Sequence, residues 1–135
     1  MTIFSKIIKG DIPCNKIAED NRFFAFLDIN PVQKGHTLIV PKIEEDYIFN
    51  LEDDILGDMF VFAKKVAVAM KKAIPCARIA VVVMGMEVPH AHIHLIPINK
   101  ESDLDFRAPK LKFNSEEMKG IAEKISAFID VLQVK

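Results

Sequence analysis

Between Asp53 and Ala73 the apolar residues Ile55, Met59, Phe62, Val66, Met70 and Ala73 recur at steps of three and four. That spacing keeps them on one face of a helix. Asp53, Asp54 and Asp58 near its start and Lys71 and Lys72 near its end suit the helix dipole, and Pro75 stops it. A second stripe, Met118, Ile121, Ile125, Phe128 and Leu132, predicts a C-terminal helix at about 115–132. Asn114 and Glu117 open it at the spacing of a capping box.

Three other segments follow strand rules. Phe23 to Leu27 is a short aromatic run between Glu19-Asp20-Asn21 and Asp28-Ile29-Asn30-Pro31, both turn-like. His36 to Val40 is β-rich, follows Lys34-Gly35 and is closed by Pro41, which lacks a backbone donor. Ile79 to Val83 is continuously apolar and β-branched, and is expected to be a strand buried on both faces. Hairpin-scale links join the early strands and one helix precedes the later ones, so the pattern predicts an α+β fold with an antiparallel sheet. No repeat or linker divides the 135 residues, and one domain over 1–135 is expected.

Composition narrows the classes. Half of the residues are apolar, and the formal net charge of −1 comes from interspersed acids and bases, so no polycationic surface for nucleic acid or anionic lipid is expected. Cys14 and Cys76 form no CxxC pair and read as free thiols. The run Ile79 to Met84 is far shorter than the ~20 residues that span a bilayer, and Met1 to Lys6 carries no apolar signal region. A soluble cytoplasmic protein is the expectation. Neither a Gly-x-Gly-x-x-Gly nor a phosphate-loop motif is present.

The concentrated chemistry lies in Val88-Pro89-His90-Ala91-His92-Ile93-His94-Leu95-Ile96-Pro97, which holds three of the four histidines; the fourth is His36. On a strand, alternate side chains share a face, so His90, His92 and His94 would line one surface while Ala91, Ile93 and Leu95 enter the core. Pro97 is expected to end the pairing, and Gly85 to allow a sharp turn toward the triad. Three readings stay open on spacing alone. A neutral imidazole can attack phosphorus while a neighbour acts as general acid. Two of the histidines with His36 could hold an open catalytic zinc. The set could also be surface histidines.

His90-Ala91-His92-Ile93-His94-Leu95-Ile96 resembles the signature of the histidine triad (HIT) family. Phe4 to Pro13 and Phe26 to Lys42 resemble the amino-terminal half of that family in matching order, so the resemblance covers roughly Ile3 to Pro97. It implies a five-stranded antiparallel sheet with two main helices, dimerised into a continuous sheet. It implies hydrolysis at the α-phosphate of a purine nucleotide derivative: a nucleoside phosphoramidate, an acyl-adenylate or a dinucleoside polyphosphate. His92 would be the nucleophile, His94 would contact the leaving group, and His90 and His36 would support the catalytic ring, with no metal or other cofactor. Asp28 would hold the ribose hydroxyls, Phe4, Ile7, Phe26, Leu27 and Ile29 would form the base slot, and Gly85 and backbone near Glu87 would meet the α-phosphate.

The chain also departs from its relatives. The usual polar, glycine-rich loop before the triad is cut to Val83-Met84-Gly85-Met86-Glu87, with Met86 where Gln is usual. A nucleotide-binding or scaffold protein with a vestigial triad is therefore the alternative function. Thr2 and Ser5 stand where some relatives place a zinc-binding CxxC, and Glu44 and Glu45 where a further histidine ligand would fall, so no structural zinc is expected. Ser102 to Arg107 reads as a solvated loop that could border the leaving group.

Overall fold

Five strands form one antiparallel sheet in the spatial order β1-β2-β3-β5-β4, in a computed structural model that describes residues 1–133 and their side chains as far as Ile129. The strands are β1 (Lys16–Glu19), β2 (Phe23–Leu27), β3 (Thr37–Pro41), β4 (Arg78–Val82) and β5 (Ile93–Ile98). The helices are α1 (Ile3–Lys9), α2 (Asp53–Ala73) and α3 (Ser115–Gln133).

Both long helices follow from their apolar stripes. Met59, Val66, Met70 and Ala73 of α2 and Met118, Ile121 and Ile125 of α3 are buried in one core. Asn114 Oδ1 accepts from the Glu117 N–H at 2.8 Å while Glu117 Oε1 accepts from the Asn114 N–H at 2.9 Å, so the capping box forms. The side chain of Leu132 lies outside the described residues. Helix α1 was not anticipated from the pattern. It is short, capped by the Thr2 hydroxyl, which accepts from the Ser5 N–H, and ended by Gly10 at φ +88°.

Sheet register decides what each face carries. Phe24 pairs with Val40, Phe26 with Leu38, and Leu38 with His94, so these side chains share one face. Phe23, Ala25, Leu27, Ile39, Ile93 and Leu95 occupy the other and join the core under α2 and α3. The histidine face is thus opposite the two long helices, where α1 covers Phe24, Phe26, Leu38 and Val40 through Phe4, Ile7 and Ile8.

Two strand expectations are corrected. Strand β4 is an edge, and its Val81 is 53% exposed; β-branched residues suit a pleated strand whether or not both faces are covered. Pro97 does not end β5 but pairs with Ile79 inside it. Pairing with β3 runs only as far as Leu95, so at Pro97 the strand has a single neighbour and can spare a donor. Gly35 and Gly85 take φ of +87° and +73°, and these turns lead into β3 and toward the triad.

Candidate active site

Only His94 of the triad lies within β5, which begins at Ile93; His90 ends the bend before it, its N–H donating to the Val88 carbonyl at 2.8 Å, and His92 lies in the unpaired lead-in to the strand. That lead-in is tied down by the Ala91 N–H, which donates to the Glu45 carbonyl at 2.6 Å. Alternation is kept all the same, because Ala91, Ile93 and Leu95 enter the helix-side core. All four imidazoles are buried, so they are not a set of surface histidines. Adjacent rings lie close, His92 to His94 at 4.9 Å and His36 to His94 at 5.2 Å between centroids.

Hydrogen-bond partners fix the tautomers. His36 Nδ1 accepts from the Val32 N–H at 3.0 Å, so in the neutral ring the proton is on Nε2. His36 Nε2 then donates to His94 Nδ1 at 2.9 Å, which leaves the His94 proton on Nε2. His92 runs the other way. Its Nδ1 donates to the His90 carbonyl at 2.7 Å, so its Nε2 carries a lone pair. His90 is fully engaged, with Nε2 donating to the Pro41 carbonyl and Nδ1 accepting from the Thr2 hydroxyl, both at 2.7 Å.

Among the described residues no fully buried side-chain nitrogen or oxygen lacks a partner. Neither the His92 Nε2 nor the His94 Nε2 has a partner among the described residues, so both reach solvent there. One is an acceptor and nucleophile, the other a donor.

Electrostatics keep these rings neutral. Burial holds His36 down to about 3, with the neighbouring His94 and Lys110 adding to the effect. Burial and the adjacent His92 hold His94 down to about 4. Burial also lowers His92, although the His90 carbonyl and the charges of Asp28 and Glu87 pull it back up. Asp28 is raised, mainly by burial.

The remaining expected positions separate into groups. Phe4 stands edge-on to His92 at 5.0 Å and to His90 at 5.7 Å, and is packed with Phe26 at 5.6 Å; Ile7 joins the same cluster. Leu27 does not belong with them. Successive strand residues point to opposite faces, so next to Phe26 it enters the helix-side core. Ile29 is 74% exposed beyond the Asp28 turn. Asp28 Oδ1 accepts from the Asn30 N–H at 2.8 Å, and Oδ2 lies 3.7 Å from His36 Nε2. Both the turn and a place beside the histidines are therefore real for this carboxylate. Exposed Glu87 acts on His92 and Asp28 through its charge, whereas Gly85 makes its turn beside the Asp46 carbonyl.

Two metal questions have geometric answers. Asp28, His36 and His94 offer atoms within 4.8 Å of one another, but the two ring nitrogens share a proton at 2.9 Å and His36 Nδ1 is bonded to Val32. The open three-nitrogen zinc set is not formed, since His90 has both nitrogens bonded and His92 is turned to its own backbone. At the amino terminus Glu44 Oε1 accepts from the Thr2 N–H at 2.6 Å and from the Ser5 hydroxyl at 2.7 Å. Hydroxyls with one carboxylate are not a zinc donor set, so these residues do not fit a structural zinc.

Thr2 is a site residue that sequence reasoning missed, and Phe106 lies in the stretch Ser102 to Arg107, for which a border of the leaving group was one of two readings. Thr2, three residues before Ser5 and next to Ile3 and Phe4, carried a capping signal. The Phe106 ring stands edge-on to His94 at 5.2 Å and to His36 at 6.1 Å, so this segment is not the solvated loop expected.

An antiparallel five-stranded sheet with its two long helices on one face and four buried imidazoles on the other defines a protein built around a histidine triad. The HIT domain model matches residues 9–101, and the chain belongs to that family. It is 39% identical over 133 residues to adenosine 5'-monophosphoramidase hnt1 of Schizosaccharomyces pombe, covering 94% of this chain and 97% of the relative. A Hit-like protein of Bartonella henselae involved in cell-cycle regulation has a similar structure, with a TM-score of 0.80, 30% identity, and coverage of 94% of this chain and 95% of that one. A hypothetical histidine triad nucleotide-binding protein of Sulfolobus tokodaii gives a TM-score of 0.85 at 25% identity, covering 96% of this chain and 93% of that one. Among the described residues no helix is long and apolar enough to cross a membrane.

Proposed function

We propose that this chain hydrolyses purine nucleotide derivatives at the α-phosphate, through a nucleotide held covalently on His92. The observation that carries the reading is the pair of solvent-reaching Nε2 atoms, a lone pair on His92 beside a proton on His94. In the reaction His92 Nε2 forms a bond to phosphorus, and the leaving group departs with the bonding electron pair against the His94 Nε2–H. Positive charge develops on the His92 ring, and the His90 carbonyl, 2.7 Å from Nδ1, stabilises it without moving. Water then attacks phosphorus and gives a proton to His94 Nε2, replacing the one that left with the leaving group, while the phosphorus–nitrogen bond breaks and its electron pair returns to His92 Nε2.

Phe4, Ile7 and Phe26 supply an apolar wall beside His92 for a purine, with exposed Ile29 as its rim, and the free Oδ2 of Asp28 would accept from the ribose. Because the fission-yeast relative is named for adenosine 5'-monophosphoramidase activity, adenosine phosphoramidate is the first substrate to try. Purified wild type should turn it over, and His92→Ala should slow it on the order of 10³-fold or more with the fold retained by circular dichroism. If wild type binds the nucleotide yet is no faster than His92→Ala, the vestigial-triad reading replaces this one. The charge of Glu87 close to His92 is the observation that favours that alternative.

The same reading extends to a homodimer. The exposed edge β4, with Val81 at 53%, lies against α2, whose Phe60, Val61 and Val68 are also exposed. An unpaired edge next to an apolar strip suits a second copy that continues the sheet.

A further inference from the structure

The hydroxyl of Thr2 serves two partners. It accepts from the Ser5 N–H at 3.1 Å, as the cap of α1, and it lies 2.7 Å from His90 Nδ1. A carbonyl can only accept, so the contact of His90 Nε2 with the Pro41 carbonyl at 2.7 Å puts the ring proton on Nε2. The lone pair on Nδ1 is therefore met by the Thr2 proton. The Ser5 hydroxyl, at 3.3 Å, is the longer alternative for that proton and turns its own to Glu44.

Thr2 is itself held in place. Glu44 Oε1 accepts from the Thr2 N–H at 2.6 Å and from the Ser5 hydroxyl at 2.7 Å. Glu44 follows β3 in a segment that also offers the Pro41 carbonyl to the His90 ring and the Glu45 carbonyl to the Ala91 N–H at 2.6 Å. Residues 41–45 thus grip both the first turn of α1 and the stretch that leads into the triad.

That stretch has no sheet to hold it. Pairing with β3 begins at Ile93 and pairing with β4 at His94, yet the carbonyl that sets the His92 tautomer belongs to His90. The Ala91 N–H gives the peptide plane its direction, and the His90 ring, bonded at both nitrogens, fixes where that plane sits. We infer that Thr2 is a positioning residue for the proposed nucleophile: through the His90 ring, its hydroxyl holds the His90 carbonyl against His92 Nδ1. His90 is fully buried, so losing the Thr2 proton leaves Nδ1 as an unpaired acceptor, and the ring must turn or shift to find another donor. Phe4 and Ile7 carry the apolar wall on the same helix, so the two contributions of α1 can be told apart.

This inference rests on the proposed chemistry of His92, and the two are read separately in wild type, Thr2→Val and Thr2→Ser. Thr2→Val should lower kcat for adenosine phosphoramidate about tenfold or more while the calorimetric Kd for AMP stays within about twofold, and Thr2→Ser should recover kcat to within about threefold of wild type. Nuclear magnetic resonance of the imidazole nitrogens reads the tautomer of each ring. Wild-type His92 should hold its proton on Nδ1, and Thr2→Val should show a mixture of both His92 tautomers with the His36 and His94 signals unchanged. An unaltered His92 tautomer in Thr2→Val would overturn the inference. So would an equal loss of kcat and AMP affinity, the mark of an α1 that has come loose with its apolar wall. If the His92 tautomer responds as stated while wild type does not turn over the phosphoramidate, the hydrolase reading fails and the positioning role stands.

Discussion

At the scale of single residues, the account turns on which nitrogen of each ring holds its proton. One backbone N–H, that of Val32, sets the sequence by occupying His36 Nδ1, and the His36–His94 hydrogen bond passes the choice to His94 Nε2. One backbone carbonyl, that of His90, sets the opposite choice for His92. The sequence showed that these residue types sit two apart, and it identified all four histidines. It did not show that Thr2 and Pro41 satisfy His90, because those bonds join residues 88 and 49 positions apart. A pH prediction belongs at this scale. His36 and His94 titrate near 6.5 when unfolded, but the folded protein holds them to about 3 and about 4. Below pH 6.5 the unfolded chain takes up protons that the folded protein refuses, so stability is full above that pH and falls between it and about 4. The loss is up to about 1.4 kcal/mol per pH unit for each ring. The titratable and charged groups that act on these rings are His92 and Lys110 for His36 and His92 for His94, with Asp28 3.7 Å from His36. Urea unfolding at pH 7, 6 and 5 should show this slope, and His36→Asn should reduce it by about one proton's worth. An unchanged slope in His36→Asn would show that burial of the neutral ring is not its source.

At the scale of elements, hydrophobic periodicity was a reliable guide to α2, α3, β2 and β3, whose burial follows their stripes and runs. It failed where neighbours rather than composition decide the outcome. Strand β4 has the sequence of an interior strand but no neighbour on one side, and the seven residues of α1 are too few to show a period. The β4 edge makes a prediction of its own. If two copies join there, sedimentation equilibrium should give twice the chain mass, and Val81→Lys should yield a monomer that keeps its far-ultraviolet spectrum. A wild-type monomer, or a Val81→Lys protein that remains a dimer, would remove β4 as the joining edge.

At the scale of the whole molecule, the sheet divides two tasks. Its helix side holds most of the buried apolar residues, including Met59, Met70, Ile93 and Ile125, while the other side carries four imidazoles between two phenylalanines. Burial of His36, His92 and His94 beneath α1 and the 101–112 segment keeps these rings neutral, so the fold itself prepares the lone pair on His92. The face of the triad was legible from alternation, and the family blocks placed it beside Phe4 and Phe26. Its far end was open between two readings of Ser102 to Arg107, since contact across the chain leaves no periodic trace, and the contact of Phe106 with His94 decides between them. The most direct test of the central claim is to quench the protein during turnover of adenosine phosphoramidate under neutral conditions and map the modified peptide by mass spectrometry. The account predicts an adenylyl group on His92, absent in His92→Ala. Turnover with no covalent nucleotide, or a nucleotide found on another residue, would contradict it.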